Sequence, residues 1–213
     1  MTIIIGLTNG KEMCFGGDSC ISNKDGDKEI LKNPKVFAKR DPKGTLWMMG
    51  YAGDIRFGQV VQHNLVLPSV TPVHMENLIG FLVSEFVNNL RNCLNDAGAL
   101  AEEKRRQESG GSLILGINGQ IFTIDHKFQV ILSDNSFACI GSGSIAALGA
   151  LGATKGLLDP QTKEPLDQQE RIILAMEQAQ EYNDGVSDPF LIINSKEAEE
   201  SVRYVRSRRK RKR

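Results

Sequence analysis

The sequence predicts an α+β fold of four layers, α-β-β-α. Two hairpin signals of the same design point to it: Thr8-Asn9-Gly10 and Asn118-Gly119 each stand between runs of β-forming residues. The apolar spacing supplies a second sign, because it changes from two to about three and a half beyond Asp54. The third is the resulting order of strands, two helices, strands, two helices and a late strand. Each of the two sheets must then cover one face with helices and the other with the opposing sheet.

Residues 2–7 and 11–17 are rich in β-formers and form the first predicted hairpin. The polar stretch 23–34, with Asp25-Gly26-Asp27, reads as a loop, and residues 35–39 and 45–49 as two short strands joined around Asp41-Pro42-Lys43-Gly44. Ile55, Val60, Val61 and Leu65, then Leu78, Leu82, Val83, Phe86, Val87 and Leu90, mark two helices broken near Pro68 and Pro72. The charged segment 101–111 reads as a linker. A second hairpin follows over 112–117 and 120–124, then strands near 128–132 and 137–140, a small-residue helix over 141–158, a helix over 166–182 and a buried strand over 190–193.

A chain of 213 residues, 40% hydrophobic, suits one domain, here residues 1–205. Seven of the last eight residues are basic, so the formal net charge of zero conceals an acidic body and a basic, disordered tail over 206–213. Solvation of that tail is the expectation, and nucleic acid is an unlikely partner. No apolar stretch approaches the roughly 20 residues of a membrane span, and the apolar start has no basic region before it and no cleavage-site pattern after it. Cys14, Cys20, Cys93 and Cys139 contain no C-x-x-C pair, which fits a reducing cytoplasm and indicates neither a disulfide framework nor a metal site. His63, His74 and His126 are scattered, and none is a catalytic candidate.

The chemistry points to the start of the chain. Thr2 follows Met1, and once Met1 is removed a threonine terminus carries a hydroxyl nucleophile together with an α-amine whose ordinary pKa of about 7.7–8.0 lets it serve as a base. Further along stand Asp18 after two glycines, Lys35-Val36, Gly50, Gly141-Ser142-Gly143 and Asp184-Gly185-Val186-Ser187. Taken singly, each has an ordinary structural reading. In this order, over residues 2–194, they resemble the N-terminal-nucleophile (Ntn) hydrolases, and among them the proteasome β-subunit type that includes the bacterial HslV peptidase.

The resemblance implies a threonine-type endopeptidase without a cofactor. Thr2 attacks the scissile carbonyl, Lys35 favours the alkoxide and keeps the amine from being wholly protonated, and Asp18 holds Lys35. Gly50 donates its backbone N–H to the oxyanion, while Ser142, Asp184 and Ser187 surround the amine. Ile21, Met48 and Ala52 shape the pocket for the residue before the cleaved bond. The implied partners are a polypeptide substrate, further copies of the chain in a ring, and a separate ATPase unfoldase. Two features depart from the pattern: Asp188-Pro189 stands where glycine usually follows Ser187, and Met1-Thr2 replaces a propeptide, leaving Met1 to an aminopeptidase. A small-amide hydrolase and a catalytically silent ring or scaffold subunit are the alternatives. Gly141 to Ser144 also resembles a phosphate-cradling turn, but no Walker lysine or ribose-binding acid accompanies it.

Overall fold

The computed structural model describes residues 2–22, 28–103, 106–196 and 203–205. The opening hairpin pairs β1 (Ile4–Thr8) with β2 (Met13–Asp18). A short ribbon, β3 (Cys20–Ser22) against β4 (Lys28–Ile30), follows where the sequence reads as loop; residues 23–27 lie outside the described residues. Next come β5 (Val36–Arg40) and β6 (Leu46–Gly53), then the helices α1 (Ile55–His63), α2 (Pro72–Glu76), α3 (Leu78–Phe81) and α4 (Val87–Asp96). A π turn over Leu82–Phe86 joins the last two.

The stretch expected as a linker is a two-stranded ribbon, β7 (Leu100–Glu103) on β8 (Arg106–Ser109), with Leu100 opposite Ser109. Its charged composition hid a pairing that satisfies backbone groups while Leu100 packs against the core. The second hairpin, β9 (Gly111–Ile117) and β10 (Gln120–Ile124), turns at Asn118-Gly119, both with positive φ as a tight Asn-Gly turn requires. Then follow β11 (Val130–Leu132), β12 (Phe137–Ile140), α5 (Ser144–Ala153), α6 (Gln168–Tyr182), β13 (Phe190–Asn194) and β14 (Arg203–Val205). Helix α5 stops short of residue 158, and β14 was not expected from the sequence. The tail 206–213 lies outside the described residues.

These elements form the four predicted layers. One antiparallel sheet has the order β12-β1-β2-β13-β14, the other β11-β10-β9-β6-β5. Side chains alternate across a strand, so the run 3–7 splits cleanly. Ile3, Ile5 and Leu7 pack with Ala147, Leu151, Ile172 and Met176 of α5 and α6, whereas Ile4 joins Phe15, Val36, Met48, Ile114 and Leu191 between the sheets. On the far side Trp47, Met49, Tyr51, Leu113 and Leu115 pack with Phe57, Val60, Leu82, Phe86 and Leu90. Trp47 stacks on Phe86 at 5.1 Å between ring centroids. This is the Ntn-hydrolase architecture: strands buried on both faces, with helices outside.

The two sheets are tied at opposite ends. At one end the Thr8 hydroxyl donates to Gly119 O at 2.9 Å, joining the two hairpin turns. At the other lie the N-terminal segment, the end of β2, the start of β5, the end of β6 and the turn after β12. Strand β13 completes this end by pairing with β2, Phe190 opposite Asp18.

Candidate active site

Thr2 precedes β1 and is buried, with 7% of its surface exposed. The Asp18 N–H donates to Ile3 O at 3.2 Å, and the Ile3 N–H returns a bond to Asp18 Oδ1 at 3.0 Å, so the end of β2 grips the residue after Thr2. The Cys20 N–H donates to Asp18 Oδ2 at 3.2 Å. Both carboxylate oxygens are therefore engaged, and Asp18 is fixed in direction.

Lys35, just before β5, reaches across the gap between the sheets. Its ammonium nitrogen lies 2.7 Å from Thr2 Oγ1 and 3.1 Å from Asp18 Oδ1, and it also donates to Cys20 O. Burial lowers the Lys35 pKa against the pull of the Asp18 charge, while burial raises the Asp18 pKa against the opposing charge of Lys35 and its hydrogen bonds. The pair thus presents a positive charge to one hydroxyl oxygen in a site nearly closed to water: Lys35 is 3% exposed and Asp18 1%.

The backbone of Thr2 rests on the turn that opens α5. The Gly143 N–H donates to Thr2 O at 3.2 Å, and the Thr2 N–H donates to Ser142 Oγ at 3.2 Å. Gly141 has a φ of +100°, and a Cβ at that position would collide with Thr2 O, so only glycine permits this approach. The Ser142 hydroxyl has two acceptors at 3.4 Å, Thr2 O and Asn183 Oδ1.

Of the residues singled out in the sequence, Thr2, Asp18, Lys35 and Ser142 are brought together by direct hydrogen bonds. Ala52 lies close by, its Cβ 3.5 Å from where a Cβ on Gly141 would stand. Ser187 is buried on the segment between α6 and β13. Asp184 is exposed, and the side chain that reaches Ser142 is that of its neighbour Asn183. Ile21, half-buried on β3, adjoins Cys20.

Gly50 and Met48 sit deeper than the sequence suggests. Gly50 lies in the interior of β6, between Val36 and Ile114 on the neighbouring strands. A Cβ there would stand 2.5 Å from Ile4 Cγ2, so the glycine lets the two sheets approach. The Tyr51 N–H donates to Lys35 O at 3.1 Å, and alternation along the strand turns the Gly50 N–H the other way, toward β9. The turn opening α1 is instead at Gly53, with a φ of +118°. Met48 is fully buried between the sheets, four residues and so about 13 Å along β6 from Ala52.

Sequence reasoning did not single out Asn183 or Gly53. The signal for Gly53 was its place directly before Asp54, the N-cap of α1. Asn183 follows the last periodic residue of α6, where asparagine ordinarily reads as a helix stop. Among the described residues no group of His, Cys, Asp or Glu side chains gathers to hold a metal ion, and no helix is long and apolar enough to cross a membrane.

No family model matches the chain, and no curated protein does. Solved structures do resemble it. Thiobacillus denitrificans BPH superposes with a TM-score of 0.65 at 20% identity, covering 91% of this chain and 97% of that one. Eukaryotic HslV from Trypanosoma brucei gives 0.57 at 19%, covering 91% and 98%. Anbu, an ancestral β-subunit from Yersinia bercovieri, gives 0.62 at 15%, covering 91% and 81%. At these identities the likeness establishes the fold alone, shared with BPH, HslV and Anbu.

Proposed function

We propose that the chain is a threonine peptidase subunit of a compartmental, HslV-like protease, with Thr2 as nucleophile once Met1 has been removed. The observation that carries this reading is the contact of Lys35 with Thr2 Oγ1 at 2.7 Å, backed by Asp18 at 3.1 Å. A buried ammonium on a hydroxyl oxygen lowers the cost of forming the alkoxide. The freed Thr2 amine accepts the hydroxyl proton as Oγ1 attacks the amide carbon, and returns it to the departing amine. Water then cleaves the ester to Thr2 by the same proton path.

The tetrahedral oxyanion needs a backbone donor at the mouth of the site. Gly53 suits this better than Gly50, because it ends β6, lies one residue beyond Ala52, and its N–H turns to the same side as that of Tyr51, past the start of β5. The subunit acts within a homo-oligomer. Support comes from the Anbu complex of Pseudomonas aeruginosa, a helical assembly of the same fold, and from the exposed apolar face of α5. Residues 1–205 form the catalytic domain and 206–213 a basic tail. A separate ATPase feeds unfolded polypeptide to the assembly in the cytoplasm.

Intact-mass measurement together with hydrolysis of a panel of fluorogenic peptide amides tests the mechanism. Loss of Met1 should accompany activity, and Thr2→Ala should abolish turnover while the assembly keeps its size. Undiminished hydrolysis by that variant would discard Thr2 as nucleophile.

A further inference from the structure

The polar groups around the Thr2 nitrogen continue outward through Ser142 to Asn183, the residue that ends α6. Asn183 makes three bonds. Its Nδ2 donates to Ser142 O at 3.1 Å, its Oδ1 accepts from the Gly185 N–H at 3.0 Å, and the same Oδ1 lies 3.4 Å from Ser142 Oγ. Only a side chain with a donor on one arm and an acceptor on the other meets both backbone demands, which fixes the amide's orientation. The asparagine therefore clamps the Gly141–Gly143 turn to the loop between α6 and β13.

We propose that Asn183 is a positioning residue for the Thr2 amine: it holds the Ser142 hydroxyl where that oxygen accepts from the nitrogen and keeps the nitrogen lone pair facing Thr2 Oγ1. This rests on the reading of Thr2 as nucleophile. Asn183 neither takes nor gives a proton. The Thr2 hydroxyl proton moves to the amine, and Ser142 directs it.

The chemistry of this residue type has a second consequence. An amide carries no charge, so the outer end of the chain of bonds from Thr2 N through Ser142 is neutral. The charged groups around Thr2 come from elsewhere: Lys35 before β5 contacts its Oγ1, Asp18 at the end of β2 accepts from the Ile3 N–H, and Asp184 is exposed on the loop beside Asn183. Asp188 on the same loop is engaged by Gln180 at 3.3 Å. Helix α5 has no titratable residue, the Cys139 thiol on β12 is pushed up to about 12 by burial, the Cys20 thiol is raised by burial and by Asp18, and burial likewise raises the Tyr51 hydroxyl on β6. A carboxylate at position 183 would add negative charge to this network and stabilise the protonated, inactive amine.

Three variants test this, with Thr2→Ala beside them and a fluorogenic peptide amide as substrate. Asn183→Ala should lower kcat about tenfold or more with KM unchanged, because the amine loses its alignment and the substrate surface does not. Asn183→Asp, similar in size but without the donor to Ser142 O, should also lower kcat and in addition move the acid limb of its profile to higher pH by about one unit, since more alkaline solution is needed to free the amine. Asp184→Asn, which removes the exposed carboxylate beside Asn183, asks whether that group sets the acid limb instead. If Thr2→Ala is inactive while Asn183→Ala and Asn183→Asp keep the wild-type kcat and acid limb, the assignment of Asn183 fails and the nucleophile stands. Should Thr2→Ala retain turnover, both readings fall. A shift produced by Asp184→Asn and not by Asn183→Asp would transfer the role to the exposed carboxylate and overturn the proposal.

Discussion

At the scale of single residues, the site depends on the buried ion pair of Lys35 and Asp18, whose other partners are neutral: the Thr2 hydroxyl, Cys20 O and the Ile3 and Cys20 N–H groups. Removing one member leaves the other uncompensated, which typically costs about 3–5 kcal/mol, whereas removing both leaves no lone charge. Asp18→Asn and Lys35→Met should each lower unfolding stability by about that much in urea titrations, and the double variant by less than either. A strictly additive double variant would mean that the charges do not compensate one another. All three should lack peptidase activity under the proposed mechanism. The members of this pair were legible only through the ordered set that resembles the family; taken alone, a carboxylate after two glycines and a lysine at a strand start carry no such signal. Gly50 and Met48 were harder to place, since depth along β6 depends on how far the strand extends beyond Met49, and the sequence alone put its end four residues too early. Asn183 escaped notice because its pairing with Ser142 spans 41 residues and leaves no periodic trace.

At the scale of elements, turn chemistry was the most readable feature. Asp41, picked out within a predicted turn, accepts from Lys43 N at 2.9 Å, Thr45 N at 3.0 Å and Val70 N at 2.7 Å. Burial raises its pKa, but these hydrogen bonds outweigh that and hold it below the ordinary carboxylate value. In Asp41→Asn one arm becomes an NH2 group facing the Val70 N–H, so two donors oppose each other. A loss of about 1–3 kcal/mol is expected at neutral pH. Because the folded-state pKa is depressed, the stabilisation is full above the unfolded-state value and disappears as pH falls through the folded-state value. Unfolding curves of the two proteins should therefore converge in acid, and a constant gap down to that range would exclude the carboxylate as its source. The ribbon of β7 and β8 was read as linker for a physical reason: its sequence is charged and, beyond Leu100, which packs on the core, no hydrophobic alternation announces it. The π turn over Leu82–Phe86 is likewise silent in sequence, where Leu82 and Phe86 simply continue a helical spacing.

At the scale of the whole molecule, the four layers followed from element order and two-faced strands, while the sheet orders did not. That β13 returns to lie beside β2 is set by long-range packing of Phe190 and Ile192 under α6. One outer surface lacks a cover. Helix α5 contains no charged residue, yet Ile145 is 85% exposed and Leu148 41%. If this face joins subunits, Ile145→Asp combined with Leu148→Asp should reduce the particle to single chains in sedimentation, with the fold intact by circular dichroism. An unaltered particle would place the subunit contact elsewhere. The return of β13 also bears on timing. Thr2 leaves the ribosome well before β13, the strand that pairs with β2 at its end of the sheet, and before the asparagine just ahead of that strand. Under the proposed mechanism Thr2 would therefore lack this support until β13 has paired with β2, so that completion of the sheet and arming of the hydroxyl coincide.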